Sequence, residues 1–202
     1  MATRRTRSSS GSGLSRIMLV RAAAIAQQLH RESSVLLELY RKKESFTPDV
    51  AGSAGHLVSV PPPSSQLDTR DKLWRLHSAL LQCRSLVERA IAREEEELGG
   101  GNKDDYETQR KIVKERLSLL LINTGELLKS VDGPAILTPS LEGLELESPT
   151  SLFELKLWVY RIFTEVDYWT KMAITTLQDL PSILAKKQVR TTQARSLRSA
   201  RR

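Results

Sequence analysis

Four stretches of the chain repeat apolar residues every three or four positions, the period of a helix with one buried face. From Leu14 to about Lys43, Ile17, Ala24, Leu29, Leu36 and Tyr40 can share a broad face, with no Gly or Pro between them. A second stretch runs from a cap at Asp68 or Thr69 through Leu73, Leu76, Leu80, Cys83, Val87 and Ala90 to the acidic block Glu94 to Glu97, and stops at Gly99-Gly100-Gly101. The third begins after Asn102 with Asp104, Asp105 and Glu107, acids that complement a helix dipole. Its stripe is Val113, Leu117, Leu120, Thr124, Leu127 and Val131, and Gly133-Pro134 ends it. The fourth opens on a capping box, Ser151 to Glu154, and carries Leu152, Leu155, Val159, Ile162, Val166, Trp169, Ala173, Leu177 and Leu180. Pro181 is expected to end or kink it. No strand pattern and no internal repeat occurs.

The connections between these helices are long, short and long. Residues 44–67 hold Phe46, Pro48, Gly52, Gly55 and Pro61-Pro62-Pro63, and residues 132–150 hold Pro134, Pro139, Gly143 and Pro149. About 24 and about 19 residues can stretch about 80 and about 60 Å, enough to cross a bundle of helices about 40–48 Å long. The short glycine link forces the second and third helices into antiparallel contact. The pattern predicts an all-α fold, a long-chain four-helix bundle running up-up-down-down with two long crossover loops.

Charge divides the chain further. Residues 1–31 carry six Arg and no acid, and residues 186–202 carry seven Lys or Arg and no acid. Residues 32–185 hold 18 basic against 24 acidic residues, so the net charge of +7 belongs to the two ends and not to the predicted folded body. We expect a disordered basic tail over 1–13, the four-helix domain over 14–184 and a second disordered basic tail over 185–202. The tails could meet heparin, an anionic membrane or nucleic acid, yet they contain no Phe, Tyr or Trp on which bases would stack. The plainer reading is a solubilising charge.

Candidate chemistry is sparse. No nucleophile elbow, P-loop, H-E-x-x-H or C-x-x-C motif occurs, so no enzyme is predicted, and neither a cofactor nor a metal is expected. The one cysteine, Cys83, forms no intrachain disulfide and lies on an apolar stripe. His77 reads as a boundary histidine, and Glu94 to Glu97 as a solvated helix end. No apolar run reaches the 18 or so residues of a membrane span, no signal peptide is read and no N-x-[ST] sequon occurs. The expectation is a cytoplasmic protein that becomes extracellular without a leader.

The fourth helix holds the informative anomaly, with Phe153, Trp158, Tyr160, Phe163, Tyr168 and Trp169 close together. Phe153 lies about 100° from Leu152 and one turn before Lys156. An apolar and cationic pair thus stands beside the helix start. Phe153 either staples the preceding loop or anchors a partner.

Leu152-Phe-Glu-Leu-Lys-Leu-Trp158, followed by Glu165 and Trp169-Thr170, resembles the ciliary neurotrophic factor family of long-chain four-helix cytokines. Arg21, Ala26, Leu29, Leu36, Glu38 and Tyr40, and the stretch Leu67 to Leu73, add to the likeness, which covers about residues 15–184. Leukaemia inhibitory factor, cardiotrophin and cardiotrophin-like cytokine share the architecture. The resemblance implies a monomeric growth factor that assembles receptor chains for neuronal survival and differentiation. In that family a Phe-x-x-Lys pair engages the leukaemia inhibitory factor receptor, and here it is Phe153 and Lys156. A face on the first and third helices meets the shared signal-transducing chain. An alpha-receptor surface would involve Gln27, His30, Ser64, Met172 and Thr176, where this chain lacks the family's Arg, Arg, Trp, Arg and Asp. The competing expectation is an intracellular helical adapter or membrane-surface protein acting through its basic tails.

Overall fold

The computed structural model describes the backbone of residues 10–47, 55–99, 104–132, 149 and 151–199, and the side chains of 16–47, 55–97, 99, 104–131, 149 and 151–180. It contains four helices: α1 (Ser10–Glu44), α2 (Thr69–Leu98), α3 (Asp105–Asp132) and α4 (Leu152–Ser199). Among the described residues there is no strand. Both α1 and α2 pack against α3 and against α4, so α1 faces α2, and α3 faces α4, across the bundle.

The helix ends follow from local chemistry. Asp68 caps α2, its Oδ1 accepting from the Asp71 amide at 2.8 Å. Asp104 does the same for α3 with the Glu107 amide, also at 2.8 Å. Ser151 Oγ accepts from the Glu154 amide at 3.2 Å at the start of α4, one half of the expected capping box. Gly99 closes α2 at φ 74°, a left-handed conformation that glycine adopts without a Cβ clash.

The end of α1 is less conventional. Ser45 takes φ 56° although it is not glycine. The Phe46 amide reaches back to the Arg41 carbonyl at 3.0 Å and the Ser45 amide to the Lys42 carbonyl at 3.4 Å, which is a Schellman stop. Its accompanying apolar contact is Phe46 on Tyr40, with ring centroids 6.3 Å apart. Phe46 also meets Tyr160 at 5.4 Å, so the stop turns the chain back onto α4.

The core follows the sequence stripes closely on α2, where Leu73, Leu76, Leu80, Cys83, Val87 and Ala90 are all buried. On α4 the stripe from Leu155 to Leu180 is buried, and on α3 it is buried from Val113 to Leu127. Each fully buried Leu of this set contributes about 1.5–3 kcal/mol by leaving water. Four expected core positions are not in the core. Val131 and Leu152 are exposed near the ends of their helices, and Ile17 lies on the outer face of α1, where Leu19 two residues on is buried instead. Ala24 is exposed too; the buried face of the first half of α1 is Leu19, Ala22, Ile25, Ala26 and Leu29.

Two boundaries also differ. Helix α1 begins at Ser10, ahead of Leu14. Helix α4 does not end at Pro181 but continues into the basic segment as far as Ser199. A proline removes one amide and one intrahelical bond, and the Leu, Ala, Lys, Gln and Arg residues after it are good helix formers. Of the expected tail over 1–13, residues 10–13 belong to α1 and residues 1–9 lie outside the described residues, as does most of the second long loop, 133–148. No helix is long and apolar enough to cross a membrane among the described residues.

Candidate functional site

The first turn of α4 presents Leu152 and Phe153 to solvent, 51% and 63% exposed, while Leu155 and Trp158 turn inward. The loop that Phe153 was expected to staple, 132–150, lies mostly outside the described residues. Lys156, one turn on, is tied to α1 twice. Its Nζ lies 2.6 Å from Glu44 Oε2, and its carbonyl oxygen accepts from Tyr40 Oη at 3.1 Å. Burial, with Glu94 and Glu44 adding to it, pushes the Tyr40 phenol far above its usual pKa, so it stays a donor.

Beneath this turn lies an aromatic cluster. Tyr40 meets Phe163 edge-on at 5.3 Å and Tyr106 at 5.4 Å. Tyr106 in turn leads to a buried ion pair that charge alone misread. Glu94, expected in a solvated helix end, is buried: its Oε2 accepts from Arg110 Nη1 at 2.6 Å and from Tyr106 Oη at 2.7 Å. Burial works against the Arg110 charge, but Tyr106 and the Glu94 carboxylate more than offset it and hold the guanidinium pKa above its ordinary value. Lys43 sits over the Tyr106 ring, 4.2 Å from its centroid. A sequence signal existed. Glu94 follows Ala90 by four on the α2 stripe, and Tyr106 and Arg110 precede Val113 at helical spacing on α3.

A second polar knot holds the segment before α2. The buried Glu165 carboxylate accepts from Trp169 Nε1 at 2.9 Å and from the Leu57 amide at 3.4 Å, and both of its oxygens lie 3.2 Å from His56 Nδ1. Arg161 Nη2 donates to the Gly55 carbonyl at 3.3 Å, and Gln82 Oε1 accepts from the Ser59 amide at 2.9 Å. Glu165 and Trp169, two residues that carry the family resemblance, therefore clamp this segment to the bundle.

The five residues of the expected alpha-receptor surface fare unequally. Gln27 and Ser64 are exposed, while Met172 is half-buried against the core. His30 Nδ1 lies 3.2 Å from Asp167 Oδ1 and 3.3 Å from Thr170 Oγ1, which joins α1 to α4. Thr176 is buried and offers almost no surface. His77 does lie at a boundary: its Nδ1 is 2.8 Å from Thr124 Oγ1, and burial lowers its pKa. Cys83 is buried, and desolvation, with Glu165 nearby, holds its thiol well above the usual pKa, so the thiolate is disfavoured. No group of three or more His, Cys, Asp or Glu is placed to hold a metal ion among the described residues.

No protein-family model matches the chain, and no curated protein matches it. The reading of the α4 face therefore rests on its residues and geometry.

Proposed function

We propose that the chain is a cytokine of the ciliary neurotrophic factor type, which acts by bringing cell-surface receptor chains together. Phe153 and Lys156 engage a leukaemia inhibitory factor receptor-type chain. The outer face of α1 and α3 meets the shared signal-transducing chain, and an alpha receptor is a third candidate partner. Receptor chains held close then activate their associated kinases, with neuronal survival and differentiation as the outcome. Catalysis plays no part, and the protein acts outside the cell.

One observation carries this reading. A large aromatic side chain stands 63% exposed on the first turn of a helix whose next turn is pinned to its neighbour. Exposed aromatics on rigid frames are the usual anchors of protein interfaces, because they bring large contact area at little entropic cost. Further support comes from Ile17, Val20, Val35 and Ile122, exposed apolar residues on α1 and α3.

The up-up-down-down course belongs to the same proposal. Along α1, Ser33 meets Asp167 and Glu44 meets Lys156, so position rises on α1 as it falls on α4. His77 meets Thr124 and Glu94 meets Arg110, giving the same sense between α2 and α3. Glu32 accepts from Gln109 while Lys43 covers Tyr106, giving it between α1 and α3. Those pairings support α1 and α2 running one way and α3 and α4 the other.

The test is binding of the purified protein to the soluble leukaemia inhibitory factor receptor ectodomain and to the shared signalling chain, each with and without the alpha receptor of ciliary neurotrophic factor. Saturable binding to the first two, weakened about tenfold or more by Phe153→Ala, is expected. Absence of binding to every combination would overturn the proposal.

A further inference from the structure

We infer that residues 55–60 form a strap that opens as a unit from its seat on α2 and α4 while the four helices stay folded, and that its opening uncovers the thiol of Cys83. The start of α4 and its partner play no part in this, so it goes beyond the receptor-binding reading above.

The strap is fastened to both helices, and by polar groups. On α4, Arg161 Nη2 donates to the Gly55 carbonyl at 3.3 Å, and Glu165 Oε2 accepts from the Leu57 amide at 3.4 Å. The same carboxylate lies 3.2 Å from His56 Nδ1, and the His56 ring leans on Tyr168 with centroids 4.9 Å apart. On α2, Gln82 Oε1 accepts from the Ser59 amide at 2.9 Å, and Gln82 Nε2 donates to Ser59 Oγ at 3.0 Å. Between the two fastenings Val58 alone is buried, with Leu57 and Val60 half-buried against the core. Opening the strap therefore exposes little apolar surface, whereas unfolding a helix exposes a whole stripe.

The strap's seat is itself partly polar. Glu165 and Gln82 are buried where the strap meets them. A carboxylate and an amide both gain hydration when the strap leaves, which offsets the bonds that are lost; an apolar seat would gain nothing. Beyond residue 60 the chain adds a weak hold. Pro61-Pro62-Pro63 have no amide to donate, and Arg75 Nη1 reaches the Pro62 carbonyl only at 3.5 Å on the exposed surface. Cys83 follows Gln82 on α2 and is fully buried. Glu165 is near enough to push its thiol further up than burial alone does, so the thiol sits beside both side chains that fasten the strap.

Native-state hydrogen exchange on the full chain reads the opening directly. The Leu57 and Ser59 amides should exchange at least about a hundredfold faster than core amides of α2 and α4, with protection within about threefold of each other. Low guanidinium should leave their rates unchanged, because a local opening exposes little surface. Exchange only together with the core, or at unrelated rates, would overturn the inference. Alkylation of Cys83 by excess iodoacetamide at fixed pH reads what the opening uncovers. It should proceed through the same opening, with the same indifference to low guanidinium, and labelling that waits for global unfolding would overturn the place of the thiol beneath the strap. Glu165→Gln keeps an acceptor for Trp169 but removes the charge beside His56. It should speed both labelling and Leu57 exchange by about tenfold beyond any rise in its own global unfolding. An equal rise in local and global rates would mean that Glu165 supports the bundle and not the strap. The two wild-type measurements decide the matter even where that variant fails to fold.

Discussion

Two ion pairs lie on either side of Tyr40, and they differ in how much of each is wet. Arg110 and Glu94 are sealed on both sides, with 3% and 5% of their side chains exposed. Lys156 keeps 31% of its surface against 6% for Glu44. The dry pair joins the end of α2 to the start of α3, across the short link. The half-wet pair fixes α4 against α1 next to two exposed apolar side chains. The same chemistry is sealed inside the fold in one place and leaves its cation partly in water at the surface in the other.

The sharpest way to break the contrast is to put a charge on the inward face of α4. Leu155→Asp buries an unpaired carboxylate, so loss of the cooperative thermal transition is expected by circular dichroism. A native melt would mean that Leu155 does not face the core. Next in size is Glu94→Ala, which strands the buried Arg110 and should cost about 3–5 kcal/mol in guanidinium unfolding. A cost below about 1 kcal/mol would show that the pair is not dry. Lys156→Ala should cost less, about 1–3 kcal/mol, because Lys156 is partly solvated and only Glu44 is left buried without its cation.

Smaller effects sharpen the picture at the margins of this region. Ser45→Gly relieves a left-handed backbone and should stabilise the protein by about 0.5–1 kcal/mol, seen as a rise in Tm. No gain would mean that the Ser45 hydroxyl or its stiffer backbone offsets the strain. His77 gives the pH dependence. Its folded pKa lies below the ordinary histidine value, so the unfolded chain binds the proton more readily. The stabilising preference for neutral His77 is full above the unfolded pKa and is lost as pH falls through the lowered folded one. His77→Gln should therefore flatten the decline in Tm between about pH 7 and 5. An unchanged slope would remove His77 from the account.

Much of this was legible in the residues. Regular gaps of three and four place the α2 stripe and most of the α4 stripe, because one apolar phase is available in each. In α1 the run Ile17-Met-Leu-Val20 and Ala22 to Ala26 permits several phases, so Ile17 and Ala24 were drawn inward while Leu19 and Ile25 take the core. Leu152 and Val131 keep the period, but periodicity does not say where the neighbouring helix stops. Glu94 was hidden by its sign: charge suggested water, whereas its phase put it on the stripe. Phe153 and Lys156 were visible as a pair, but Glu44 was not, since no spacing along one chain reveals a contact between two helices.

The central claim is that the start of α4 separates a stabilising face from a binding face. Phe153→Ala and Leu155→Ala should be measured side by side for unfolding free energy and for affinity to the leukaemia inhibitory factor receptor ectodomain. The account predicts that Phe153→Ala keeps its stability within about 0.5 kcal/mol and loses about tenfold or more in affinity. Leu155→Ala should lose about 2–5 kcal/mol of stability while its folded fraction still binds. A Phe153→Ala protein that binds like wild type, or that loses stability as Leu155→Ala does, would contradict it.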